Sequence, residues 1–298
     1  MSKHLQEIID NYNQISNCQV VFLDIEKYSK RRTSNQVSII NAFTTILNQA
    51  INEIAKQYIE NVQKNDFNFS KDLIKLPTGD GAAIVFTFDG MNDVHFEFAK
   101  LFMKYLHDFN SKSKCEKFEN NHWCNCHDNF SVRISLSEGK GIIYKDINES
   151  YNLAGNAINM AARLLGEIDG NQIILSEETY TQLIDLSSNA NLDEDFLLIP
   201  NLNVKHSIKL SGYLYIGAEE YINSVLPEKH LVAARLKDIT GKFRENGFPI
   251  PDFFSDGDET ELSKMKITEK LDFLDGLSNI ANNLNALSGF DTISIENE

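Results

Sequence analysis

Two carboxylates stand where the chain could hold divalent cations. Asp80 lies at the tip of a Thr-Gly-Asp-Gly turn, and Asp24 lies near the end of an apolar stretch at residues 20–25. Gly79 and Gly81 let the backbone bend sharply, and the apolar residues on both sides predict a hairpin. Carboxylate oxygens are ligands that hard divalent cations prefer. Such a hairpin is common without any function, but strand pairing that places Asp24 beside Asp80 would make a two-metal site.

A third stretch could bind phosphate. Asn159 and Arg163 are four residues apart in a segment with helical spacing, so they share one helix face. An amide beside a guanidinium suits an anionic phosphate group. Without the two aspartates, a surface pair on an ordinary helix would be the better interpretation.

Together the three stretches resemble the class III nucleotidyl cyclases. The marks of that family are an apolar strand that ends in Asp-Ile, a Gly-Asp hairpin, and an Asn-x-x-x-Arg helix after an aromatic-x-x-x-Gly turn. This chain has all three in that order, and the resemblance covers roughly residues 15–217. It implies an α+β fold with a mostly antiparallel, ferredoxin-like sheet and packed helices.

The resemblance also implies roles for individual residues. Two Mn²⁺ or Mg²⁺ ions would be held by the carboxylates of Asp24 and Asp80, joined by the backbone carbonyl of Ile25. Asn159 would orient the ribose, and Arg163 would neutralise charge that builds on the α-phosphate.

A lysine of the closing strand would bind the triphosphate. Lys209 falls at the position where the family keeps that lysine, and Lys205 is the alternative if the register differs.

In this family the metal carboxylates come from one subunit and the Asn/Arg pair from the other. Because this chain carries both sets, the resemblance implies a homodimer with shared active sites. A lone chain should then be inactive.

The base pocket departs from the family pattern. Adenylate-specific members usually have lysine and aspartate at the positions of Leu76 and Asn152, and guanylate-specific members usually have glutamate and a small residue. Leu76 cannot form a hydrogen bond, whereas the amide of Asn152 could face either the N3/O4 edge of uracil or the N3/N4 edge of cytosine. Tyr28 adds an aromatic wall that could narrow the pocket.

These departures resemble the pyrimidine cyclases of the bacterial Pycsar anti-phage system. The resemblance implies a second-messenger enzyme that uses UTP, with CTP as the close alternative, and a separate effector that senses the cyclic nucleotide. A divergent adenylate cyclase that makes cAMP stays open. A catalytically dead, cyclase-like binding module is disfavoured, because both aspartates and the Asn/Arg pair are present.

Neither aspartate has a lysine or arginine beside it in the sequence. We therefore expect the two carboxylates to repel each other in the metal-free protein. Removal of either one should leave the melting temperature unchanged or raise it.

The composition limits the classes of binding partner and the cellular location that we expect. The chain has 298 residues and a formal net charge of −15, which argues against non-specific binding to nucleic acid or membrane surfaces. No stretch has the length of a membrane span, and four cysteines do not make a disulfide framework at this size. The cytoplasm is the expected location.

The chain divides into a predicted catalytic domain at 1–217 and a helical C-terminal extension at 218–298. Ser34 and Ser176 are expected to cap helices. A polar loop at 111–129 contains residues that can bind metal but lacks the usual zinc spacing, so we expect an insertion there: Cys115, His122, Cys124, Cys126 and His127. The last helix carries a short apolar stripe: Phe273, Leu277, Ile280, Leu284 and Leu287.

Overall fold

The computed structural model describes most of the chain, in these ranges: 3–10, 16–60, 68–87, 91–112, 129–204, 208–245, 270 and 272–278. The chain forms two compact units, Met1–Val225 and Leu226–Glu298. The predicted boundary at residue 217 stays a prediction. The Cys/His part of the 111–129 loop, Lys205 and three of the five stripe residues lie outside the described ranges.

The first unit is built on an eight-stranded sheet. The strands are β1 (Ser16–Ile25), β2 (Ile74–Pro77), β3 (Gly81–Phe86), β4 (Val132–Lys145), β5 (Tyr151–Gly155), β6 (Ile173–Ser176), β7 (Phe196–Val204) and β8 (Ile208–Tyr215). Their order is β2-β3-β1-β4-β6-β8-β7, and β5 pairs with β4. All pairs are antiparallel except β4 with β6, which confirms the predicted mostly antiparallel sheet.

Helices complete the α+β fold that the sequence predicted. In the first unit they are α1 (Lys3–Asp10), α2 (Thr33–Gln57), α3 (Phe69–Asp72), α4 (Val94–Lys112), α5 (Asn156–Leu164) and α6 (Glu177–Leu186). The second unit contains α7 (Glu228–Glu245), and residues 272–278 are also helical. Among the residues that the structure describes, no helix combines the length and apolar content that crossing a bilayer requires.

Two apolar cores cover the two faces of the sheet. Side chains alternate along β1, so Val21, Leu23 and Ile25 enter the core beneath α2 and α4. Val20 enters the second core, which includes residues of α1 and α5, and Phe22 packs against it. The same alternation places Asp24 on the face of this second core.

A buried polar pair joins α4 to β4 at the opposite end of β1 from Asp24. His95 Nε2 and Glu138 Oε1 lie 3.1 Å apart, and Gln19 donates to the same carboxylate oxygen at 3.3 Å. Burial lowers the pKa of His95 to about 3. Burial also raises the pKa of Glu138 to about 7, and the Gln19 hydrogen bond opposes this rise. The imidazole is therefore neutral at pH 7, and the carboxyl holds its proton to a higher pH than an exposed glutamate does.

Glu138→Gln should stabilise the protein more at pH 8 than at pH 5. The folded carboxyl, with a pKa of about 7, holds a proton that the unfolded chain releases near 4.5, so stability is lost as pH rises through this window. The amide never ionises, so the variant avoids a loss of unfolding free energy on the order of 1–3 kcal/mol. Urea denaturation at both pH values measures the difference, with the exposed Glu219→Gln as control. An equal effect of Glu138→Gln at both pH values would contradict the assignment.

Candidate active site

Strand pairing brings the two predicted metal carboxylates together. Asp24 of β1 is the cross-strand partner of Gly81, and the Ile25 N–H donates to the Asp80 carbonyl oxygen at 2.9 Å. The approach is close, because a Cβ on Gly81 would lie 2.0 Å from the Leu23 carbonyl oxygen. Glycine at this position lets the hairpin sit against β1 and so places Asp80 next to Asp24.

Arg133 is a residue of this site that the sequence reasoning missed. It is the cross-strand partner of Asp24 on β4. Its Nε donates to Asp24 Oδ2 at 3.0 Å, and its Nη2 contacts the same oxygen more closely. The side chains are only 29% and 14% exposed. Asp24 therefore has a basic neighbour in the fold although none stands beside it in the sequence, because β4 supplies one from 109 residues away.

Burial and three nearby charged residues set the pKa of Asp24. Burial raises it, the hydrogen bond and positive charge of Arg133 oppose that rise, and the negative charges of Asp80 and Glu26 add to it. Asp24 and Asp80 therefore repel each other in the metal-free protein, as expected. A bound cation would relieve this repulsion.

The donor set fits a magnesium-type ion. Mg²⁺ usually keeps several waters and is held by one or two carboxylates together with substrate phosphates. Asp24 and Asp80 supply two neighbouring carboxylates of this kind, and the backbone carbonyl of Ile25 stays a predicted third donor. Within the described ranges, no cluster of three or more His, Cys, Asp or Glu side chains is positioned to hold a metal ion. Two adjacent carboxylates match the small number of protein ligands that Mg²⁺ commonly uses.

The Asn/Arg pair lies on α5, whose inner face is fastened to β4. Ser135 Oγ donates to the Ala161 carbonyl at 2.6 Å, and Ser137 Oγ donates to the Ala157 carbonyl. Asn159 is exposed and Arg163 is partly exposed. Among the described residues, no hydrogen bond or ion pair joins this pair to Asp24 or Asp80.

Leu76 and Asn152 lie on two strands that approach each other, β2 and β5, whereas Tyr28 lies on the other side of the sheet from Leu76. Leu76 belongs to the second core, where it shares a cluster with Leu153. Asn152 precedes Leu153 on β5, so its side chain points to the other face of that strand. The strands β2 and β5 nevertheless lie close, with Cα atoms within 8 Å. Tyr28 packs against the main core, on the side of the sheet opposite to Leu76.

Lys209 lies on β8 as the partner of Asn203. Its role with the triphosphate stays a prediction.

No protein-family model matches the chain, and no curated protein matches it either. Among solved structures it is similar to the guanylate cyclase domain of RhGC from Catenaria anguillulae, in complex with GTP. That match has 19% identity, a TM-score of 0.45, and covers 67% of this chain and 96% of the other. It is also similar to an adenylate/guanylate cyclase/hydrolase from Silicibacter pomeroyi, with 16% identity, a TM-score of 0.47, and coverage of 68% and 98%. A third match is the adenylyl cyclase CyaB from P. aeruginosa, with 15% identity, a TM-score of 0.44, and coverage of 70% and 98%.

The two aspartates should differ in their effect on stability. Asp24→Ala leaves the partly buried guanidinium of Arg133 without its carboxylate, which costs about 1–3 kcal/mol of unfolding free energy. Asp80→Ala removes a repelling charge from Asp24 and should leave stability unchanged or raise it. Denaturation in EDTA compares the two variants with the wild type.

A matched control follows from the same ion pair. Arg133→Met added to Asp24→Ala removes the guanidinium that has lost its carboxylate. The double variant should recover part of the unfolding free energy lost in Asp24→Ala. If Asp80→Ala proved the more damaging variant in EDTA, the ion pair would not be the interaction that holds Asp24.

Proposed function

We propose that the protein is a nucleotidyl cyclase. It converts a pyrimidine nucleoside triphosphate, UTP before CTP, to the 3′,5′-cyclic nucleotide and pyrophosphate. The observation that carries this proposal is the adjacency of Asp24 and Asp80, which β1–β3 pairing produces from residues 56 positions apart. The α+β fold agrees with what the sequence resemblance implies.

In the proposed reaction the ribose 3′-oxygen bonds to the α-phosphorus, the bond from that phosphorus to the bridging β-phosphate oxygen breaks, and the hydroxyl proton passes to water. Two Mn²⁺ or Mg²⁺ ions would supply activation of the hydroxyl and a clamp on the triphosphate. Asp24, Asp80 and the Ile25 carbonyl would hold them. Asn159 orients the ribose, and Arg163 stabilises negative charge on the α-phosphate as it builds.

A second copy of the chain would complete each site. No hydrogen bond or ion pair joins Asn159 or Arg163 to the carboxylates among the described residues, and another subunit's α5 would bring this pair to them. The β4–β5 hairpin next to α5 supports such a dimer with an exposed apolar surface. It comprises Ile142, Tyr144 and Ile147, which are 57%, 41% and 99% exposed. Exposed apolar groups of this kind often mark a protein interface.

The orientation of Asn152 favours uracil. Its Oδ1 accepts the Leu153 N–H at 2.7 Å, and only the amide oxygen can accept from a peptide N–H. The amide nitrogen is therefore left to donate toward a base. Uracil presents the acceptor O4, whereas cytosine presents a donor amino group at the same position. Leu76 offers no hydrogen bond to the ring nitrogens of a purine.

The biological part of the proposal rests on the sequence resemblance. The enzyme would act in the cytoplasm, as a source of cyclic nucleotide in anti-phage defence. A separate effector protein would sense the product.

Purified protein with Mn²⁺ and each of the four ribonucleoside triphosphates should make cyclic UMP fastest and cyclic CMP next, as identified by mass. Each unpaired polar group of a purine costs on the order of 1–3 kcal/mol, and about 1.4 kcal/mol is a factor of ten in rate. Leu76→Lys with Asn152→Asp should lower turnover of both pyrimidines. Turnover of ATP as fast as UTP would instead indicate a divergent adenylate cyclase. Nucleotide binding without any cyclic product would indicate an inactive binding module.

The shared site predicts complementation between two dead variants. Asp80→Ala and Arg163→Ala should each lose nearly all activity as homodimers. After mixing and subunit exchange, activity should return in part, because a heterodimer keeps one site with every group. A tagged pull-down verifies exchange. Verified exchange without recovery would place the whole site in one chain.

A further inference from the structure

Arg133 contacts Asp24, a carboxylate that a metal ion would also bind. Both of its contacts with Asp24 use the single oxygen Oδ2, at 3.0 Å from Nε and closer from Nη2. The flanking residues Val132 and Ile134 are fully buried, so the strand itself is fixed. Only the side chain of Arg133, which is 29% exposed, has freedom to leave the carboxylate.

We propose that Arg133 is a positioning residue that competes with the divalent cation for Asp24, and so couples metal binding to nucleotide binding. This inference rests on the proposed function, since it concerns the same site. Without a cation, the guanidinium of Arg133 pairs with Asp24. A cation must displace it, and the displaced guanidinium needs another anion.

The charges around Asp24 determine how strongly the site attracts a free cation. Asp24 and Asp80 carry two negative charges that a cation would use, and Arg133 cancels one of them. Glu26 adds a further negative charge nearby, but Lys27 pairs with it at 2.7 Å. Without Arg133 the two carboxylates would attract a free cation more strongly.

A nucleoside triphosphate changes this balance. It brings several anionic oxygens, and a guanidinium pairs well with phosphate. The nucleotide therefore offers Arg133 a new partner at the moment when it delivers the metal. Metal alone should bind weakly. Metal and nucleotide together should bind much more tightly than their separate affinities for the protein would predict.

The test is a Mn²⁺ titration followed by electron paramagnetic resonance in the absence of nucleotide. Arg133→Gln should bind Mn²⁺ about tenfold more tightly than the wild type, because one opposing charge is removed from beside the ligands. Lys140→Gln is the matched control, since it removes an exposed positive charge from the same strand and should change nothing. Arg133→Lys keeps the charge without the guanidinium fork and should bind Mn²⁺ much as the wild type does.

The titration is repeated with 3′-deoxy-UTP, which lacks the attacking hydroxyl. In the wild type the nucleotide should tighten Mn²⁺ binding by a larger factor than in Arg133→Gln. Urea denaturation checks that each variant is folded, and Arg133→Lys carries the test if Arg133→Gln does not fold: a loss of nucleotide coupling with the charge retained supports the proposal.

The outcomes separate this inference from the proposed function. Equal Mn²⁺ affinity and equal coupling in the wild type and the folded variants would overturn the role of Arg133, even if the wild type cyclises UTP. Tighter Mn²⁺ binding by Arg133→Gln would support the role of Arg133, even if no triphosphate is cyclised.

Discussion

The hydrogen bond from the Ile25 N–H to the Asp80 carbonyl oxygen is the contact on which the candidate site depends. It ends the β1–β3 ladder and places the hairpin tip beside the end of β1. The ladder can reach this point only because Gly81 has no side chain, since a Cβ would overlap the Leu23 carbonyl oxygen. Two carboxylates that are far apart in the sequence are thus brought side by side by backbone geometry.

The cost of that arrangement is repulsion, and the fold reduces it. Burial and the charge of Asp80 both raise the pKa of Asp24, whereas Arg133 across the sheet opposes them. The positive charge of Arg133 reduces the repulsion in the metal-free protein. Because it pairs with Asp24, it also competes with a free cation for that carboxylate. One side chain, Arg133, therefore sets both the stability of the metal-free site and its affinity for a free cation.

Much of this could be predicted from sequence because the signals are local. The glycine turn and the apolar strand pointed to a hairpin that could bring Asp80 to Asp24, and the resemblance carried by three short motifs implied the α+β fold. Ser176 caps α6 as expected, with its hydroxyl accepting the Thr179 N–H. Ser34 does not cap α2, because that helix already begins at Thr33 with Arg32 as its N-cap.

What sequence reasoning missed depends on long-range pairing. Arg133 joins Asp24 only through the register of β4 against β1, which no local pattern reveals. The strand β7 was also missed, because Pro200 interrupts its apolar run. The sheet tolerates this proline because β7 is an edge strand with a bulge at that point. Leu76 lies in the second core and Asn152 lies next to Leu153 of that core on β5, so their joint role in reading the base stays a prediction.

The most direct test of the central claim is to locate the metal by diffraction. A crystal grown with Mn²⁺ and 3′-deoxy-UTP should show anomalous manganese density within coordination distance of the carboxylates of Asp24 and Asp80. The Arg133 side chain should no longer contact Asp24. Manganese density elsewhere, with the Arg133–Asp24 ion pair intact beside a bound nucleotide, would contradict the account.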